Sequence, residues 1–252
     1  MSHQNRFSSR VENYIKFRPG YPKEVIDILK ADCGLTRSSK IADVGSGTGI
    51  LAELLLKNGN RVFGVEPNEP MRTAAERLLS SFKEFVSIDG SAETTGLDSG
   101  SVDFVTAGQA FHWFDRDAAK IEFKRILKPE GWVVLLWNER SIDATPFLRD
   151  YEELLLKYGT DYQEIRHENV EQELGSFFFP QNFHAKSLPN LQVFDLEGLK
   201  GRSFSASYVP MPGHPNHAAF LSGLEELFKV HNTEGEVAFE YRTNIYFGQL
   251  AA

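Results

Sequence analysis

The sequence predicts an α/β fold in which short strands alternate with amphipathic helices around a mostly parallel sheet. Three observations carry the prediction. Residues 40–67, KIADVGSGTGILAELLLKNGNRVFGVEP, read as strand, tight turn, helix and strand. From there to Trp137 short apolar runs keep alternating with helical patterns. Residues 237–247, VAFEYRTNIYF, alternate at period two and give a last strand.

Taken in order, residues 1–21 are polar with scattered aromatics (Phe7, Tyr14, Phe17, Tyr21) and end in RPGYP, which reads as a loosely packed leader. Pro22 suits the first turn of a helix with Val25, Ile26 and Leu29 on its apolar face and Gly34 as its stop. Ile41, Ala42 and Val44 form a buried strand, and Ile50, Leu51, Leu54 and Leu55 recur at helix spacing until Gly59 and Asn60. Arg61 to Val65 is a second strand ending on Glu66. Asn68 can cap a helix carrying Met71, Ala74, Ala75, Leu78 and Leu79, a pattern that by itself makes Met71 a core residue.

Phe85 to Ile88 is a third strand, followed by the long turn DGSAETTGLDSGS and a fourth strand from Val102 to Thr106. Residues 108–115, GQAFHWFD, follow it. Their rings read equally as packing beneath a helix capped by Asp115 and as the wall of a site, because open α/β folds bind ligands at the carboxyl ends of their strands. A helix from Arg116 to Leu127 buries Ala119, Phe123, Ile126 and Leu127, and LKPEG makes a turn into a fifth strand that ends at Trp137. Residues 143–174 are largely helical, with Leu148, Tyr151, Leu154, Leu155 and Tyr158 on one face. Phe177, Phe178, Phe179 and Phe183 read as a core cluster, and a strand lies within residues 183–194. The Pro-rich run YVPMPGHPNHAAF leads into a helix through Leu221, Leu224, Leu227 and Phe228, so residues 208–232 read as a lid or cap.

The chemistry concentrates behind the first strand. Glycines let the turn adopt backbone angles that side chains resist, and they let a ligand lie against the main chain. A helix start adds partial positive charge. A carboxylate about twenty residues on, here Glu66, can accept from both hydroxyls of a ribose. Nicotinamide-dinucleotide enzymes use G-x-G-x-x-G in the same place with the same acidic partner. Here the third glycine falls one residue early, at Gly49, and Asp43 stands just ahead of the loop.

The run D-V-G-S-G-T-G resembles motif I of the class I S-adenosylmethionine-dependent methyltransferases, and the similarity extends from about Lys40 to Trp137, with RPGYP upstream. The resemblance implies a Rossmann-like fold whose seven-stranded sheet is mostly parallel, with an antiparallel last strand and helices on both faces. It implies S-adenosylmethionine as cofactor, held by Asp43, Gly45, Gly47, Gly49, Glu66, Pro67 and Gln109, with Met71 against the adenine. Family members commonly carry Asp-Ala in the turn after the third strand. This chain keeps Ala92 but has Ser91 before it, so Asp89 or Glu93 is the substitute expected at the adenine. Residues 109–114 resemble the Gln-Ala-x-His-Trp-Phe signature of a branch that includes trans-aconitate methyltransferase-like proteins, which implies a small-molecule acceptor. The Tyr-x-x-x-Arg-Pro-x-Tyr-Pro leader looks like one that folds over the cofactor, placing Tyr14 and Arg18 at the acceptor with Trp113, and His112 is the candidate catalytic residue. The Asn-Pro-Pro-aromatic motif of nitrogen-methylating enzymes does not occur at this point.

Composition narrows the field. Lys and Arg total 27 against 35 Asp and Glu, and a net charge of −8 argues against a nucleic-acid partner. A single cysteine, Cys33, excludes an intrachain disulfide and a cysteine metal cluster, and it sits away from the motif loops. His214 and His217 lie three apart with no carboxylate or cysteine at ligand spacing, so no metal is expected. The start lacks an apolar signal core and no run approaches membrane-spanning length, which leads to the expectation of a cytoplasmic protein without a membrane partner. The sequence does not fix the oligomeric state.

These observations give one methyltransferase domain over residues 1–252: a leader at 1–21, a cofactor-binding core at 40–137, and a C-terminal part at 138–252 with a lid at 208–232. The expected reaction is in-line methyl transfer to a small acceptor. Holding the acceptor lone pair in line can supply about 7 to 11 kcal/mol. A base is needed only for a protonated acceptor, where His112 is the candidate; for a carboxylate, Arg18 or His112 would orient the anion. Two rivals remain open: a non-catalytic S-adenosylmethionine-binding module, which would keep Gly45 to Gly49 and Glu66, and a nicotinamide-dependent oxidoreductase, which leaves GSAE, GQAFHWF and LKPEG unexplained.

Overall fold

A computed structural model describes residues 11–162 and 170–250. Leader residues 1–10 and residues 163–169 of the predicted helical stretch lie outside the described residues. Strands β1 (Lys40–Val44), β2 (Arg61–Val65), β3 (Phe85–Ile88), β4 (Val102–Gly108), β5 (Leu127–Arg140), β6 (Phe183–Phe194) and β7 (Val237–Gly248) form one seven-stranded sheet in the order β3-β2-β1-β4-β5-β7-β6. Strands β1 to β5 pair in parallel, and β7 runs antiparallel between β5 and β6. The expected sheet, with its single reversed last strand, is therefore present.

Both faces are covered, which is why Ile41, Ala42 and Val44 of β1 are all buried. On one face α2 (Glu24–Cys33) and α3 (Ile50–Lys57) bury Val25, Leu29, Leu51 and Leu55 against Ile41 and Val62. On the other, α5 (Arg116–Ile126) and α7 (Val170–Phe178) bury Phe123, Phe177 and Phe178 with Phe111 and Trp137. Helix α4 (Glu69–Leu78) follows β2, and its predicted cap holds: the Asn68 side chain accepts from the Met71 N–H at 3.0 Å. Asp115 caps α5 through the Ala118 N–H at 3.2 Å, and Gly34 ends α2 in the left-handed region at φ 68°.

A third core lies over the far end of the sheet. There α6 (Pro146–Tyr158), α8 (Leu196–Phe204) and α9 (His217–His231) enclose Phe147, Leu148, Tyr151, Leu199, Phe220 and Leu224 with Phe239 of β7. Strand β6 is the sheet edge, and Pro189 sits within it, where a missing N–H leaves no interior ladder bond unmade.

The structure departs from the sequence reading at four places. Helix α1 (Val11–Phe17) occupies the leader, packing Phe17 edge-on to Phe194 at 6.4 Å. Helix α8 was not foreseen, because Gly198 and Gly201 dilute its helical signal; Gly201 is there because a Cβ would lie 2.0 Å from the Phe17 ring. The LKPEG segment is a bulge inside β5, since Leu127 pairs with Val102 and Trp132 with Phe104, leaving Lys128 to Gly131 against Asp103 alone. Phe179 is 70% exposed, so the aromatic cluster buries Phe177 and Phe178 without it.

Candidate active site at the carboxyl ends of β1, β4 and β5

Asp43 is the last residue but one of β1 and is fully buried. Its Oδ1 accepts from the Thr106 hydroxyl of β4 at 2.9 Å, while Oδ2 has no hydrogen-bond partner. Burial pushes this carboxyl up to about 7, with the Thr106 hydroxyl and the Ala52 N–H favouring the charged form against it. The turn that follows is held down at its start: the N–H groups of Gly45 and Ser46 both donate to the Val65 carbonyl, at 2.8 and 3.2 Å.

The three glycines serve different ends. Gly45 has φ 66° and a Cβ would meet Ala110 at 2.6 Å; Gly49 has φ 86° and a Cβ would meet the Leu79 side chain at 2.6 Å. Gly47 has φ 57° with nothing within 4 Å of its missing Cβ. Two of the glycines thus permit close packing, and Gly47 leaves open space for a ligand.

Glu66 is bound into this loop. Its Oε2 accepts the Gly47 N–H at 2.9 Å and its Oε1 the Asn68 N–H at 2.8 Å. Burial raises its pKa, opposed by those two N–H groups and by Arg72. Pro67 is half-buried beside it, and Met71 is 4% exposed at the start of α4.

A cavity opens between the loop and the leader. It is lined by Asp43, Gly45, Ser46, Gly47, Thr48, Ile50 and Leu51, by Gly108 and Gln109 at the end of β4, by Asn138 of β5, and by Tyr14, Arg18, Pro19 and Tyr21. Gln109 takes a positive φ of 56° and donates through Nε2 to the Asn138 carbonyl at 3.1 Å. Asn138 fixes the leader: its Nδ2 donates to the carbonyls of Pro19 and Gly20 at 3.3 and 3.1 Å, and its Oδ1 accepts from Thr243 and Asn190. Gln192 adds a bond to the Phe17 carbonyl at 3.2 Å. Arg18 stacks on Tyr14 at 4.9 Å and donates to the Ser205 carbonyl at 3.1 Å, with its Nε buried and unpaired. Tyr21 stands among Asp43, Arg18 and Tyr14, and burial raises its phenol well above the ordinary value.

Asp43, Gly45, Gly47, Gln109, Tyr14 and Arg18 thus meet around one cavity, and Glu66 joins it through Gly47. The remaining predicted residues stand elsewhere. Gly49 packs on α4. Ala92 is buried in the core with Val65 and Phe111, and the Ser91 N–H donates to the Thr94 carbonyl. Of the two acids expected to replace the usual Asp, Asp89 is exposed and paired with Arg72 at 3.2 Å, and Glu93 accepts the Asp115 N–H at 2.9 Å. His112 and Trp113 lie half-buried on a short 3-10 turn (Phe111–Trp113), their rings 4.4 Å apart, outside the cavity lining; Phe111 is the ring of that motif that belongs to the core. His214 is exposed and His217 contacts the Pro210 carbonyl at 2.9 Å. Among the described residues no group of three His, Cys, Asp or Glu side chains is placed to hold a metal ion, and no helix is long and apolar enough to cross a membrane.

Sequence reasoning passed over Tyr21, Thr48 and Asn138. Asn138 had a signal, since it is the first polar residue after the apolar run Val133 to Trp137 of β5.

Residues 42–135 match the methyltransferase domain family. An uncharacterised methyltransferase of Mycobacterium tuberculosis is 35% identical over 160 residues, 64% of this chain and 61% of that protein. One from Schizosaccharomyces pombe is 33% identical over 156 residues, 60% and 59% of the two chains. The chain thus spans about three fifths of the length of these curated relatives. Among solved structures, a protein of Anaeromyxobacter dehalogenans assigned as a type II methyltransferase superposes with TM-score 0.70 over 94% of this chain and all of its own, at 24% identity. A Haemonchus contortus phosphoethanolamine N-methyltransferase, solved with phosphomonomethylethanolamine and S-adenosylhomocysteine, gives TM-score 0.55 over 97% of this chain and 58% of its own, at 16% identity. At such identities the solved structures bear on the fold.

Proposed function

We propose that this chain, whose residues 42–135 form a methyltransferase domain on a class I methyltransferase fold, transfers the methyl group of S-adenosylmethionine to a small-molecule acceptor. One observation carries the cofactor reading: Asp43, a fully buried carboxylate whose Oδ2 has no hydrogen-bond partner, lines the same cavity as the open Gly47 turn. Such a group calls for a donor or a cation, and the cofactor's methionyl end has an ammonium to offer.

On this reading Asp43, Gly45, Gly47 and Gly49 hold or shape the methionyl end and Glu66 the ribose, while Pro67, Met71, Ser91, Ala92, Glu93 and Gln109 border the rest. When bound, the cofactor supplies a methyl group made electrophilic by its sulfonium, so the chain's own work is positioning. The leader, pinned by Asn138 and Gln192, keeps Tyr14, Arg18 and Tyr21 over the cavity. His112 and Trp113 stand three and four residues beyond the cavity-lining Gln109, and they act as general base and acceptor wall only for a hydroxyl acceptor that reaches past that lining. The chain's acidic balance supports an acceptor other than nucleic acid.

The test pairs calorimetric binding of S-adenosylmethionine and S-adenosylhomocysteine with release of S-adenosylhomocysteine across an acceptor panel. Binding with turnover is the expected result. Binding without turnover on any acceptor favours a non-catalytic module, and tight nicotinamide dinucleotide binding without S-adenosylmethionine binding overturns the proposal.

A further inference from the structure

Gly108 closes β4, and a Cβ on it would lie 2.4 Å from the Tyr21 hydroxyl oxygen and 3.0 Å from the ring carbon that bears it. Its φ is not positive, so what the missing side chain provides is room rather than an unusual backbone angle. The phenol tip is thus seated on the end of the strand. Tyr21 is half-buried and lines the cavity with Asp43 and the Gly45 to Thr48 turn. Among the described residues no hydrogen bond reaches its hydroxyl. A hydroxyl in a cavity wall with its donor and acceptor capacity unused by the chain is available to whatever occupies the cavity.

Secondary structure does not hold Tyr21 there, since residues 18–21 belong to no helix or strand. Side-chain amides bond the carbonyls beside it instead: Asn138 donates to Pro19 and Gly20 at 3.3 and 3.1 Å, and Asn190 to Gly20 at 2.9 Å. Asn138 is 8% exposed and shares its face of β5 with Val134 and Leu136, where an apolar side chain would pack without needing partners. Its Oδ1 accepts from Thr243, its register partner on β7, at 2.5 Å and from Asn190 at 3.1 Å. With both ends engaged, the amide is fixed in orientation. Its main-chain carbonyl accepts from Gln109, the residue after Gly108, at 3.1 Å. One residue therefore holds both walls between which the Tyr21 hydroxyl stands. We propose that the Tyr21 hydroxyl hydrogen-bonds the bound cofactor and that Asn138, acting through the leader carbonyls, is the residue that positions it; this rests on the methyltransferase reading above.

The test titrates the whole chain with S-adenosylhomocysteine by calorimetry, beside thermal melts. Tyr21→Phe keeps the ring in its seat and loses only the hydroxyl, so it should weaken binding roughly fivefold or more while melting near the wild type. Asn138→Asp keeps the acceptor used by Thr243 and Asn190 but loses both bonds to the leader, and should weaken binding at least as much. The double variant decides the route: if Asn138 acts through Tyr21, it should bind about as well as Asn138→Asp alone, within about twofold. Asn190→Ala, which removes one Gly20 bond from outside the cavity lining, takes the place of Asn138→Asp in the same cycle if that variant does not fold. Unchanged affinity in Tyr21→Phe, with a wild type that binds, overturns the cofactor contact. Losses that multiply in the double variant overturn the positioning role, because Asn138 then acts independently of Tyr21. A wild type that binds neither S-adenosylhomocysteine nor S-adenosylmethionine defeats the methyltransferase reading, and this proposal falls with it.

Discussion

The Glu66 carboxylate accepts the backbone N–H of Gly47 at 2.9 Å, so the acid that closes β2 and the open glycine of the turn after β1 are one unit. With its other oxygen on the Asn68 N–H, Glu66 also fixes the start of α4. The residue placed on a ribose by its spacing therefore has a structural task as well, and substitutions must separate the two.

Glu66→Ala should lower S-adenosylmethionine affinity at least about tenfold, since hydrogen bonds to a charged group contribute roughly 1.5 to 3 kcal/mol each. It should also lower the melting temperature, because two buried N–H groups lose their acceptor. Glu66→Gln keeps an acceptor for one of them and should recover more stability than affinity. Calorimetry beside thermal melts checks this; unchanged affinity removes Glu66 from the site.

Asp43 gives a pH dependence of definite sign. Its folded pKa is raised to about 7, so between the ordinary carboxylate range and pH 7 the folded chain holds a proton that the unfolded chain has released. Stability without ligand should therefore fall as pH rises through that window. Asp43→Asn should flatten the slope, with its advantage over wild type greatest above about pH 7 and shrinking toward about pH 4. If the ionised carboxylate meets the cofactor, S-adenosylmethionine affinity should weaken below about pH 7, and binding heats near pH 6 should vary with the buffer's ionisation enthalpy. Affinity that stays flat across this range separates Asp43 from binding.

The loop glycines should divide. Gly47→Ala puts a methyl group into open space at φ 57°, costing about 1 to 2 kcal/mol of stability and weakening cofactor binding. Gly49→Ala adds a collision with Leu79 to its strain at φ 86°, so it should melt earlier than Gly47→Ala. The reverse order of melting temperatures would show that Gly47 carries the packing.

His112→Ala should leave S-adenosylmethionine binding near wild type and slow methyl transfer, by something like a hundredfold if it is a general base. Trp113→Ala should cost less than the roughly 3 to 5 kcal/mol of a buried aromatic truncation, because the ring is half-buried. Early melting of His112→Ala with normal turnover by the folded fraction assigns His112 to the scaffold.

Much of the fold was legible in the sequence because its signals are local. The boundaries of β2, β3 and β6 follow from short apolar or alternating runs, and the Asn68, Asp115 and Gly34 caps lie within a few residues of the groups they serve. Glycine spacing with an acid at the tip of the next strand drew attention to Gly47 and Glu66, whose contact the parallel pairing of β1 with β2 produces.

What tertiary structure alone decided is what lies across the glycine loop. Neither α1 nor α8 has a strong pattern, since each is stabilised by the other through Phe17 seated on Gly201, a contact between residues far apart in the chain. That packing, with the bonds from Asn138 and Gln192, brings Arg18 over Asp43's cavity. The sequence by itself determined the sheet and its glycine turn, because propensity, periodicity and capping act over one turn or one strand. The neighbours of each buried charge were decided by which distant elements share a face.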